Sequence, residues 1–131
     1  MKKRTEYDKL TESIIGSAIA VHRELGPGLL ESAYEACLAF ELRERGHEVR
    51  RQVALPVRYR DVKLDCGYRM DLVVDGIVVV ELKTVDSLSP LHKAQLLSYL
   101  KLSGLQIGLL MNFHVSVLRD GIKRLVLGLP E

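Results

Sequence analysis

The stretch that most restricts what this chain can become is Ile77-Val78-Val79-Val80-Glu81-Leu82-Lys83, an apolar run that ends in two charges. Four consecutive β-branched residues with no polar face predict a central strand covered on both sides. Side chains alternate along a strand, so Glu81 and Lys83 point to one face, with the backbone carbonyl of Leu82 between them. A carboxylate at the end of such a strand is costly to bury, by several kcal/mol, unless something compensates its charge.

Asp75-Gly76 just upstream is a hairpin signal, and Tyr68 to Val74 reads as the antiparallel partner strand. Register then decides whether Asp71 can meet Glu81. A strict two-residue loop sets Asp71 opposite Val80 and sends the two carboxylates to different faces. An odd loop, such as a type I turn with Gly76 in a G1 bulge, brings them together. The odd register is the expectation.

The remaining elements frame this hairpin. Leu10, Ile14, Ala18, Val21 and Leu25 recur at helical spacing, which predicts a helix over 8–25 that Gly26-Pro27-Gly28 ends. A second helix is predicted from about Leu30 to Arg45, closed by Gly46. Val49, Val53, Leu55 and Val57 alternate as a half-exposed strand, with Pro56 marking an edge, bend or bulge. Ser89-Pro90 opens a helix to about Ser103, Ile107 to Phe113 is an apolar strand, and a last hairpin is expected between Val115–Arg119 and Arg124–Leu127. The predicted order is α-α-β-β-β-α-β-β-β, an α/β (α+β) fold with a mixed sheet flanked by helices, in one domain spanning 1–131.

Composition narrows the class. A 131-residue chain with 47% apolar residues can build a single core, and no apolar run approaches the roughly 20 residues of a membrane span. The basic start Met1-Lys2-Lys3-Arg4 leads into no signal-peptide core, so a cytoplasmic protein without a membrane role is the default expectation. Cys37 and Cys66 lack metal or disulfide spacing and read as buried or semi-buried thiols, with Cys37 in helix packing. The formal charge of +2 is too small to argue for nucleic acid on its own. Arg43, Arg45, Arg50, Arg51, Arg58, Arg60 and Lys63 cluster in sequence, but solvated faces explain them as simply as a phosphate track.

Two carboxylates and a carbonyl form a hard-oxygen donor set suited to Mg²⁺ or Mn²⁺. With Lys83 alongside, the set predicts metal-assisted phosphodiester hydrolysis, the lysine orienting water or offsetting developing charge. Two further polar residues fall in apolar rows. Glu31 aligns with Leu38 and Leu42 at the head of an inward row and is a candidate third acid, although a helix-dipole role explains it equally. Gln95 aligns with Leu91, Tyr99 and Leu102, from where its amide can bond water or phosphate. His92 shares that helix and can approach a phosphate; His22, His47 and His114 show no ligand spacing.

Asp71, Glu81-Leu82-Lys83 and Gln95 together resemble the active site of the PD-(D/E)xK, or restriction-endonuclease-like, superfamily. Gly28-Leu29-Leu30-Glu31-Ser32-Ala33-Tyr34 resembles the signature of its GxxExxY family, and the likeness runs from about Thr11 to Leu129. The resemblance implies Glu31, Asp71 and Glu81 as the acids, Lys83 as the catalytic lysine, Gln95 as the supporting amide and Tyr34 as a supporting residue. Met70 stands where the family pattern has proline. The implied function is a metal-dependent nuclease, DNA before RNA. The alternative is a nuclease-like fold that binds nucleic acid or protein without cutting. Exposed edge strands also allow a homodimer.

Overall fold

A computed structural model describes residues 3–129. Met1 and Lys2 of the basic start lie outside the described residues. Helices α1 (Arg4–Leu25) and α2 (Glu31–Glu44) precede strands β1 (Val49–Ala54), β2 (Val57–Tyr59), β3 (Val62–Leu64), β4 (Arg69–Val74) and β5 (Val78–Lys83). Helix α3 (Pro90–Ser103), β6 (Ile107–Asn112), a 3-10 turn (Leu118–Gly121) and β7 (Ile122–Val126) follow. The main sheet has the order β1-β4-β5-β6-β7, while β2 and β3 pair separately. Among the described residues only β5 and β6 run parallel, and α3 makes the crossover a parallel pair requires. This is the expected α+β architecture, with β5 in the centre.

The odd register is present. Val74 pairs with Val78 and Leu72 with Val80, so continuing the ladder sets Asp71 against Glu81. The turn is of another type than expected. Asp75 and Gly76 both have positive φ, 55° and 66°, and Val74 C=O accepts from Ile77 N at 3.0 Å. Those signs belong to a type I′ turn, with Ile77 as the extra residue that shifts the ladder.

Two other expectations are corrected. Val115–Arg119 is not a strand: it is a loop entering the 3-10 turn, and β7 pairs antiparallel with β6 instead. His22 Nε2 lies 2.8 Å from the Val115 carbonyl, and that loop contact draws the backbone away from a ladder. The segment after Pro56 holds a short hairpin, β2–β3, with Arg60 and Asp61 at φ 49° and 64° between Tyr59 and Val62. Without glycine, that turn carried no clear signal.

One core cluster lies between the sheet and α1/α2, including Ile14, Ala18, Tyr34, Leu38, Leu42, Leu72, Val80 and Leu109. A smaller one lies under α3, with Val73, Val79, Leu96, Tyr99, Leu100 and Leu110. Gly108 lets α3 approach, since a Cβ there would meet the Leu96 side chain at 2.8 Å. Cys37 and Cys66 are both exposed, contrary to expectation. Cys37 falls between the buried positions Tyr34, Glu35, Leu38 and Ala39 on the outer side of α2.

Candidate active site

Asp71 and Glu81 meet where β4 and β5 stop pairing. The Asp71 backbone N–H donates to Glu81 Oε1 at 3.1 Å, and the Leu82 N–H donates to Asp71 Oδ2 at 3.0 Å. Side chains have thus replaced the next ladder bonds, and the two carboxylates interleave at the fork. Gln52 Nε2 adds a bond to Asp71 Oδ1 at 3.2 Å. These bonds use only part of the acceptor capacity of two carboxylates.

The electrostatics of the pair are unfavourable as they stand. Burial first, and the neighbouring Asp71 second, push the Glu81 pKa up to about 9. Lys83 lowers it least among the causes, since the ammonium is directed at Gln95, with Nζ 3.4 Å from Oε1. The Tyr99 hydroxyl is raised by burial and by the charges of Glu81 and Asp71, which marks it as a close neighbour. Two hard carboxylates with insufficient counter-charge fit a divalent cation, because it would let both ionise.

Glu31 does not complete a triad. It is exposed at the start of α2, touches Thr84 Oγ1 at 3.5 Å, and lines a cavity of about 320 Å³ with Asp71, Glu35, Gln52 and Leu82. Among the described residues no group of three or more His, Cys, Asp or Glu is arranged to hold a metal. The expected inward row is headed instead by Glu35, one turn on and 7% exposed. Helical spacing explains the difference: Glu35, Leu38 and Leu42 follow steps of three and four, whereas Glu31 is one more turn away at the open end.

Glu35 and Gln52 are the residues that sequence reasoning missed. Glu35 Oε2 accepts from Arg51 Nε at 3.0 Å and its other oxygen accepts from Gln52 Nε2. Consecutive strand residues normally point apart, but Gln52 has φ 50°, and that kink turns both toward one carboxylate. Gln52 then joins Glu35 to Asp71. A second acid four residues after Glu31 was the signal available for Glu35; nothing in the sequence announces the kink.

The supporting residues hold the frame. Tyr34 is fully buried, stacks on Phe113 at 4.5 Å, donates to the Gly26 carbonyl and accepts from Leu29 N at 3.1 Å. It thereby fixes the loop that launches Glu31. Ser89 caps α3, and His92 Nδ1 accepts from Ser89 N at 3.0 Å, so His92 closes a capping box. His92, Lys83 and Gln95 line a common groove of about 590 Å³. Buried Asn112 ties the exit of β5 to β6: Oδ1 accepts from Val85 N at 3.1 Å and Nδ2 donates to Val85 O at 2.8 Å.

No helix among the described residues is long and apolar enough to cross a membrane. No curated protein matches this chain, and no solved structure does. The family model described as the PD-(D/E)XK nuclease superfamily matches residues 8–125. That match takes in the hairpin with Asp71, Glu81 and Lys83, the α3 amide and both helices behind them, and it makes the chain a member of the PD-(D/E)XK nuclease superfamily.

Proposed function

We propose that the chain is a divalent-metal-dependent nuclease that hydrolyses phosphodiester bonds, DNA in preference to RNA. Membership of a nuclease superfamily supports nucleic acid as substrate. The observation that carries the reading is the interleaved pair: the Glu81 carboxylate accepts from the Asp71 N–H and the Asp71 carboxylate accepts from the Leu82 N–H at the strand fork, with Lys83 two residues past Glu81.

In this reading Asp71 and Glu81 hold Mg²⁺ or Mn²⁺, with the Leu82 carbonyl as a further oxygen donor and Glu31 bordering the cavity. Such an ion supplies Lewis acidity and a more acidic water when bound. One or two protein carboxylates suffice for Mg²⁺, which keeps waters and takes phosphate oxygens for its other positions. Lys83 offsets the negative charge that grows on the phosphoryl oxygens. Gln95 accepts from the Lys83 ammonium and so sets its direction, while its amide N–H₂ is suited to a phosphate oxygen or the attacking water. Gln52 and Glu35 orient Asp71. The Gly28–Tyr34 segment supports assignment to the GxxExxY group, Tyr34 serving there as a positioning residue.

Plasmid and single-stranded DNA should be cut in Mg²⁺ or Mn²⁺ and spared in chelator. Lys83→Ala and Glu81→Gln should each lower the rate about 10²–10³-fold with the fold retained by circular dichroism. Undiminished cleavage by either variant would overturn the assignment. Salt-sensitive binding without cleavage under both metals would identify a non-cutting binding module instead.

A further inference from the structure

Helix α3 carries an apolar row that the fold leaves open. Leu91 is 76% exposed and Leu102 38% exposed. With Tyr99 and Gln95 they line the 590 Å³ groove, whose other apolar walls are Val57, Tyr68 and Ala94. Tyr68 and Tyr99 meet edge to face, centroids 6.0 Å apart. The groove is thus apolar and aromatic, and it is continuous with the Lys83–Gln95 pair.

A cationic hollow of about 510 Å³ adjoins it. Leu102 lines both, and the consecutive β2 residues Val57 and Arg58 line one each. Arg50, Arg58 and Lys63 supply its positive charge, with Glu48 as an opposing acid. From the acid pair outward, the surface therefore changes from polar to aromatic to basic.

That sequence of chemistries suits a strand whose bases are free. In a duplex the base faces are stacked, and exposing one requires unpairing and unstacking. An unpaired strand presents its bases directly to aromatic rings, while its phosphates seek lysine and arginine. We propose that the α3 groove receives an unpaired nucleobase, with the adjoining basic hollow taking the backbone, so that the preferred substrate is single-stranded nucleic acid. The inference rests on the proposed function, which sets the scissile phosphate at the Lys83 end. An apolar peptide or a second copy of the chain would leave the basic hollow without a purpose.

The test measures anisotropy of a labelled 20-nucleotide oligothymidine and of its duplex, with the full chain in chelator to prevent cleavage. The single strand should bind at least roughly tenfold more tightly, and Tyr68→Ala or Leu91→Ala should remove most of that advantage with little effect on the duplex. Both positions are exposed, and circular dichroism checks the fold. Equal affinity for the two ligands, or an equal loss on both in the variants, overturns the inference. So does a concentration-dependent dimer that Leu91→Asp dissociates while the single-strand preference is unaltered. Cleavage with Mg²⁺ or Mn²⁺ separates the two readings. Cutting without single-strand preference sinks only the groove assignment, and single-strand preference without cutting sinks only the nuclease.

Discussion

On the α1/α2 side of the sheet, Ile14, Ala18, Leu38, Leu42, Leu72 and Leu109 are all at 0% exposure, whereas on the α3 side Leu91 is 76% exposed and a buried carboxylate sits at the strand fork. Two helices cover the first face and one covers the second. A sealed apolar face supplies most of the burial that stabilises the domain. The thinner face is then free to hold Glu81 and Lys83 beside open grooves. Stability and chemistry are separated across the thickness of one sheet, and β5 serves both through alternate residues.

That division can be broken by substitutions on each side. The largest expected effect on stability is on the sealed face: Leu38→Ala should cost about 2–5 kcal/mol in urea denaturation, with cleavage per folded molecule unchanged. A cost below about 1 kcal/mol would show that this core is not the main support.

The next effect lies on the open face and depends on pH. Folded Glu81 has a pKa of about 9 against 4.5 ordinarily. Between those values the folded chain keeps a proton that the unfolded chain has released, so rising pH favours unfolding. This contribution is complete below about pH 4.5 and is lost as pH climbs through 9. Metal-free protein should therefore melt lower at pH 8 than at pH 6, Glu81→Gln should flatten the change, and Mg²⁺ should raise the pH 8 melting temperature by binding the folded state. A wild-type curve parallel to that of Glu81→Gln would remove the electrostatic argument.

The smallest effect belongs to neither face. Cys37 is exposed, and Cys37→Ser should change stability by less than about 0.5 kcal/mol. A larger loss would mean that α2 buries its outer side against something.

Much of the candidate site could be read because it is local. Asp71, Glu81 and Lys83 lie in one hairpin, where alternation and loop parity decide which side chains share a face. Gln95 stood out as an amide in an apolar row, although that row of Leu91, Tyr99 and Leu102 faces a groove rather than a filled core. Glu31 was misplaced because helical rows say which residues align and not where the neighbouring sheet ends. The Val115 strand failed because its backbone is claimed by His22, far away in sequence.

By itself the sequence determined the central strand, a hairpin at Asp75-Gly76 whose loop parity it left open, the helix limits at Gly26, Gly46 and Ser89-Pro90, and the candidate acid pair and lysine. These follow from periods and turns that act over a few residues. Only the tertiary structure decided that Glu35 rather than Glu31 turns inward, that a kink at Gln52 links it to Asp71, and that Asn112 anchors the end of β5. Each of those joins elements far apart in the chain, and such contacts depend on where packing brings the elements to rest, which no local pattern encodes.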